Sequence, residues 1–291
     1  QFRAHDLQPG QLAVLAGNVG NRLRQDEEVH PGADRFVALV GQQQKATIEE
    51  ALAGTARAGY RRVELTNGFF EGEMAERTRA ALRANKLELF SMYFGGPMHE
   101  PDAAQQTIAK VLTLADVAKS MGAHMVNVNP APTKERKTDA QLANQARTLN
   151  EIGKRLKPKN MKLVVHQHAP ELREDAREWR YELRNTDPDL VGFCVDVDWL
   201  KRGGQDPMTL LKEAGKRIGS LHLRSARNGV WSEDLGDGDI DYRQVAAWLK
   251  EVGFQGYLIV ELAYEKQTRP TRSVEEDMRR SRLYVEKVFF G

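Results

Sequence analysis

One cysteine, Cys194, is present among 291 residues, and that scarcity excludes an internal disulfide framework. Cys194 lies within an apolar run, so a packed, inert thiol is expected rather than a nucleophile. No apolar run approaches the roughly 20 residues needed to span a bilayer, and no membrane partner is expected. Neither sign of charge dominates. Lys and Arg number 43 against 41 Asp and Glu, a formal net charge of +2, and the two signs are interspersed, so the chain lacks the basic footprint of a nucleic-acid binder. No G-x-G-x-x-G follows the first predicted strand, which argues against a dinucleotide fold. No linker rich in Pro, Gly or Ser interrupts the chain after Phe36, so one domain is the economical count. The sequence starts at Gln1 without a methionine, consistent with a chain trimmed of a signal peptide. The compartment stays open between cytoplasmic and exported (periplasmic), with a soluble protein expected in either case.

Apolar residues make up 41% and charged residues 29%, ordinary values for a globular protein with a sizeable core. Residues 1–35 read as an N-terminal extension rich in Gly, Asn and Gln, with one short helix expected from Leu12 towards Leu23. From Phe36 the chain turns regular. Strands are predicted over 36–40, 61–65, 87–94, 124–129, 162–166, 191–196, 217–223 and 257–262. Helices are predicted over 47–58, 73–85, 102–121, 139–156, 174–184, 207–214, 242–252 and 273–288. Thr47 with Glu50 forms a capping box, and Gly59 and Gly122 serve as helix stops. Strands alternating with helices imply right-handed parallel crossovers. Eight such units in about 250 residues suit a (β/α)8 TIM barrel over 36–291 better than an open doubly wound sheet.

The most informative stretch is Lys162 to Glu171, KLVVHQHAPE. Leu163, Val164 and Val165 read as a strand buried on both faces. Alternation then sends His166 and His168 to one side and Gln167 to the other. Two imidazoles at the C-terminal end of a parallel strand sit where barrels place their chemistry, although an isolated H-x-H is more often plain packing. Three further strands end in possible ligands, at Asp196, His222 and Glu261. Mixed imidazole and carboxylate ligation suits one divalent ion: Mn²⁺, Co²⁺, Mg²⁺ or Zn²⁺. The other strand ends offer Glu64, Tyr93, Asn127 or Asn129, and Arg224. The plain alternative for Glu64 is a loop cap or a pair with Arg61. Trp199 and Trp231 are placed on loops beyond strands six and seven, where an aromatic face packs well against a sugar ring; an oligomer contact or a core anchor is the alternative. Ser225 to Gly238 is long and polar enough for a lid.

These residues make the chain resemble the xylose isomerase-like TIM-barrel superfamily of sugar isomerases and epimerases. The resemblance is carried by 58–65 (AGYRRVEL), 165–168 (VHQH), 192–196 (GFCVD), 203–207 (GGQDP), 217–224 (RIGSLHLR), 235–242 (LGDGDIDY) and 260–262 (VEL). It implies one divalent metal held by residues from strands five to eight. Asp196, His222 and Glu261 match the last three ligands, and His166 stands where the epimerases carry Glu. Trp199 stands where many members have a second His. The H-x-H form is similar to the inosose dehydratase and keto-sugar lyase branch.

The resemblance implies a metal-dependent isomerase or epimerase acting on a sugar or keto-sugar through an enediolate. The alternatives are a dehydratase or lyase on a keto-sugar, an inosose or a 3-keto-glycoside, and a barrel that binds carbohydrate without turnover. It also implies Glu261 as ligand and base and His166 as ligand or acid/base partner, with His168 as support for a ligand or as leaving-group acid. Glu64, Tyr93, Asn129, Trp199, Arg224 and Trp231 would bind substrate. For Arg224, a salt bridge that orients Asp196 or Glu261 is the competing reading. No phosphate cradle is evident, so the expected substrate is a non-phosphorylated carbohydrate, and by resemblance alone the chain is expected to form a homodimer. An apurinic endonuclease of a related branch is argued against by the balanced charge and few histidines.

Overall fold

A computed structural model describes residues 36–40 and 47–291; the expected extension, residues 1–35, lies outside the described residues. Eight parallel strands close into a barrel: β1 (Phe36–Val40), β2 (Arg62–Thr66), β3 (Glu88–Gly96), β4 (Met125–Pro130), β5 (Lys162–His166), β6 (Val191–Asp196), β7 (Ile218–Leu223) and β8 (Tyr257–Val260). Each strand pairs with its sequence neighbours, and β1 pairs with β8 through Phe36 opposite Leu258 and Ala38 opposite Val260. The outer helices are α1 (Ile48–Arg57), α2 (Gly72–Ala84), α3 (Pro101–Ser120), α4 (Asp139–Leu156), α5 (Arg173–Asn185), α6 (Val197–Arg202), α7 (Pro207–Ala214), α8 (Tyr242–Glu251) and α9 (Val274–Val285). The eight strand-and-helix units expected from the sequence are present, with ends displaced by at most three residues.

Local chemistry sets these helices. Thr47 and Thr138 form reciprocal capping boxes with Glu50 and Gln141, and Asp206 and Ser273 accept the first free amides of α7 and α9, satisfying donors that the helix itself leaves unpaired. Gly59 and Gly122 follow α1 and α3 at φ +90 and +110, a conformation that costs glycine little.

Three elements depart from the sequence reading. Trp199, expected on a loop, lies in α6, which starts at once after β6 because Asp196 caps it through the amides of Asp198 and Trp199. Trp231 belongs to a two-residue antiparallel ladder, Ala226–Arg227 against Val230–Trp231. The predicted helix at 174–184 opens with Glu174, Asp175 and Ala176 at φ 52, 57 and 52, so its regular right-handed turns begin only after them.

Strand parity places the site. Leu163 and Val165 pack outward into the large core beneath the helices. Val164 belongs to an inner layer with Phe90, Met125, Cys194 and Ile259. Since side chains alternate along a strand, two residues further on from Met125, Val164, Cys194 and Ile259 come Asn127, His166, Asp196 and Glu261, pointing into the barrel at its C-terminal mouth. His222 on β7 completes this ring.

Candidate metal centre

The inward parity brings His166, Asp196, His222 and Glu261 together, all buried, each with a ligand atom within 4.8 Å of the others. Among the described residues this is the one such grouping of three or more His, Cys, Asp or Glu side chains. His166 and His222 lie 4.7 Å apart between ring centroids. Both ring nitrogens of His166 are buried without a hydrogen-bond partner, and its Nε2 stands 3.6 Å from Asp196 Oδ2. Burial lowers the pKa of His166, so the ring is neutral and its lone pair free to coordinate. An orphaned neutral imidazole facing a carboxylate fits a divalent ion, and two imidazoles with two carboxylates form a suitable donor set.

His222 sits between two carboxylates. Its Nδ1 is 2.7 Å from Glu261 Oε2 and its Nε2 is 2.9 Å from Glu64 Oε1. Burial disfavours the imidazolium, yet the surrounding charge, Glu64 included, and the bond to Glu261 hold its pKa well above the ordinary value. Coordination through Nδ1 must therefore displace a proton. Asn127 Nδ2 lies 3.3 Å from Glu64 Oε1 and 3.3 Å from His222 Nε2.

Arg224 bridges the acidic residues, with its NH2 2.9 Å from Asp196 Oδ2 and 2.6 Å from Glu261 Oε1. The orienting salt bridge weighed in the sequence reading is therefore formed, to both carboxylates. Although burial opposes ionisation of Asp196 and Glu261, Arg224 together with the neighbouring imidazoles holds both carboxyls below their usual range. The guanidinium also lies over Trp231, 4.8 Å from the ring centroid.

The remaining predicted residues surround this centre. His168 is partly buried, 4.8 Å from the His166 ring and 5.0 Å from Trp199 between centroids. Burial and the nearby His166 push its pKa down to about 3, so it is neutral near pH 7. Tyr93 packs edge-on to His166 at 5.5 Å. Asn129 donates to the His166 carbonyl at 2.9 Å and so fixes the strand end. Trp199 and Trp231 stack edge to face at 5.4 Å, and Trp231 Nε1 donates to Asp198 at 2.7 Å. The backbone of Trp231 is tied down as well, its N–H by Glu265 and its carbonyl by Thr268. Leu235 N–H bonds Ser281, and Arg272 bridges Glu233 and Asp234. The segment expected as a lid is thus fastened at several points.

Sequence reasoning passed over the residues beneath the H-x-H turn. Gln167, on the opposite side from the histidines as alternation requires, donates to Glu182 Oε2 at 2.8 Å. Gln145 links Glu182 to Glu178, and Lys137 bonds both Gln145 and Glu178. Glu171 accepts from the His168 amide at 2.9 Å; burial raises its carboxyl to about 7. Their only trace in the sequence is polar residues on the helix faces that the amphipathic pattern assigns to the core.

A family model described as a xylose isomerase-like TIM barrel matches residues 52–284. An inosose dehydratase from Clostridium tetani is 26% identical over 249 residues, covering 74% of this chain and 82% of the relative. Another from Geobacillus kaustophilus is 27% identical over 247 residues, covering 74% and 80%. Among solved structures, a D-allulose 3-epimerase from Methylomonas sp. in complex with D-allulose superposes with a TM-score of 0.72 at 15% identity, covering 87% of this chain and 96% of that one. A sugar phosphate isomerase/epimerase from Parabacteroides distasonis gives 0.71 at 18% identity, covering 91% and 98%. At such identities the structural likeness speaks for the fold alone.

Proposed function

This chain belongs to the xylose isomerase-like TIM-barrel family, and we propose that it is a divalent-metal-dependent enzyme that removes the proton beside the carbonyl of a non-phosphorylated keto-sugar or keto-polyol, with elimination of a β-oxygen as the favoured outcome. The observation that carries this reading is the convergence of His166, Asp196, His222 and Glu261 at the barrel mouth. A divalent ion held by these four supplies Lewis-acid stabilisation of the negative charge that develops on the substrate carbonyl oxygen.

The chain's own residues divide the rest of the work. Glu261 is engaged by both His222 and Arg224 and held far towards its ionised form, so its carboxylate is available as a ligand and to accept the substrate proton. His168 is neutral and partly exposed at the mouth; its ring accepts from the Glu171 amide, so its other nitrogen carries the proton and can donate to a substrate hydroxyl. Trp199 and Trp231 form an aromatic wall for the apolar face of a ring, and Arg224 lies beside it to hold a substrate oxygen.

In elimination the carbon-bound proton passes to the Glu261 carboxylate and is returned to the departing β-hydroxyl, which leaves as water, and a carbon–carbon double bond forms beside the carbonyl with no net redox change. Epimerisation instead requires a second group to return a proton to the opposite face. His166 stands where the epimerases carry Glu, and an imidazole that ligates has no second basic atom facing the same substrate. The curated relatives named inosose dehydratases support the same preference.

Elemental analysis, then exchange of substrate protons into D₂O with keto-inositols and keto-sugars, with and without Mn²⁺, tests this. The expected result is one divalent ion per chain, exchange abolished by chelator, and an unsaturated product by NMR. Exchange with inverted configuration and no loss of water would make the enzyme an epimerase. Tight sugar binding without turnover would make it a binding protein, and absence of any bound metal would sink the metal-enzyme reading.

A further inference from the structure

Glu64 is fully buried on β2 and stands outside the four-ligand group, yet it contacts one of that group's members directly. The two nitrogens of His222 face different partners. Nδ1 points at Glu261, on the side where the four ligand atoms converge, and Nε2 points at Glu64 Oε1 at 2.9 Å. A neutral imidazole carries one proton, and the nitrogen that holds it cannot coordinate. Whatever accepts a hydrogen bond at Nε2 therefore decides whether Nδ1 is free to ligate.

The surroundings make this choice non-trivial. Asn127 Nδ2, an N–H donor, lies 3.3 Å from the same Nε2. Donation from that amide would place the lone pair on Nε2 and the proton on Nδ1, the wrong tautomer for the centre. Glu64 counters this twice. Its carboxylate accepts from Nε2–H, and it engages Asn127 Nδ2 at 3.3 and 3.4 Å through its two oxygens.

We propose that Glu64 is a positioning residue that fixes His222 as the Nε2–H tautomer and so presents Nδ1 to the divalent ion. The inference rests on the metal-centre reading above and replaces the substrate-binding role expected of Glu64 from the sequence. A carboxylate behind a ligating imidazole typically contributes 10–100-fold to metal affinity. Carboxylate and carboxamide differ here in a useful way: Glu64→Gln keeps a carbonyl acceptor for Nε2–H, whereas Glu64→Ala removes it and frees the Asn127 amide.

The test uses the full chain labelled with ¹⁵N-histidine. Zn²⁺ and Co²⁺ affinities are measured by chelator competition for wild type, Glu64→Gln and Glu64→Ala, and the His222 tautomer is read in the Zn²⁺-loaded proteins by long-range ¹H–¹⁵N correlation. We expect wild type to bind one ion with Nε2 protonated, Glu64→Gln to retain that tautomer with a loss of only a few-fold, and Glu64→Ala to bind about 10–100-fold more weakly with the tautomer lost. Unchanged affinity and tautomer in Glu64→Ala would overturn the inference while leaving the metal centre standing. Equal losses in Gln and Ala would assign the effect to charge and overturn it too. Should Glu64→Ala fail to fold, the loaded wild type decides alone, since His222 protonated on Nδ1 contradicts the proposal. A wild type that binds no metal overturns this inference and the functional reading together.

Discussion

Among the described residues, Arg224 is the one cation in direct contact with two of the four candidate ligands. Its guanidinium is 4% exposed and bonds Asp196 and Glu261 at once. Removing it leaves two buried carboxylates uncompensated, a change that typically costs about 3–5 kcal/mol. We expect Arg224→Ala to lose stability of that order in urea unfolding with chelator present. Saturating divalent metal should restore part of the loss, because an ion that binds only the native state adds its binding free energy to folding. An equal loss with and without metal would show that the carboxylates do not meet the ion. His166, Asp196, His222 and Glu261 could be picked out in the sequence as candidates because each stands at or near the end of an apolar strand, and parity along a buried strand is a local property. Glu64's partner was not legible: it is 158 residues away, and only the packing of the closed barrel brings the two side chains together.

Among the elements, α4 shows how context reverses an intrinsic preference. Gly153 lies inside this helix, where alanine is ordinarily the better residue by about 1 kcal/mol. A Cβ there, however, would come within 2.5 Å of the Leu190 carbonyl oxygen on the segment leading into β6. Backbone cannot yield as a side-chain tip can, so Gly153→Ala should destabilise by about 1–3 kcal/mol, measured by chemical denaturation. A gain in stability would mean that α4 slides freely on its neighbour. The long helices were readable from capping residues and periodicity. The short α6 was not, because its start depends on Asp196 turning its Oδ1 back onto two amides, and an aspartate at a strand end reads equally well as a ligand. The ladder around Trp231 escaped for a related reason: its anchors, Asp198 and Glu265, come from other parts of the chain.

At the scale of the molecule, the network of Lys137, Gln145, Glu178, Glu182 and Gln167 joins α4 and α5 to the end of β5. Glu182 is buried within it, and burial together with Glu178 raises its pKa to about 8. An acid with a raised native pKa keeps its proton longer in the folded than in the unfolded chain, so its contribution is fully present below the ordinary carboxylate range. That contribution is lost as pH rises through the native value. Folding stability should accordingly fall between roughly pH 5 and pH 8, and Glu182→Gln should flatten that slope in urea titrations across the range. An unaltered slope in the variant would place the titrating group elsewhere.

Barrel closure has a consequence for how the centre comes into being. The four candidate ligands stand on or just beyond β5, β6, β7 and β8, four adjacent strands of the sheet. Glu64 stands on β2, which reaches the neighbourhood of β7 only after β1 zips onto β8. A chain whose first strand has not yet docked already holds all four ligands on one curved sheet, but leaves His222 without the carboxylate that orders its ring. Under the proposed role for Glu64, the seam between β1 and β8 that closes the barrel is also the one that tunes the centre, so metal capture reports a finished barrel rather than half of one.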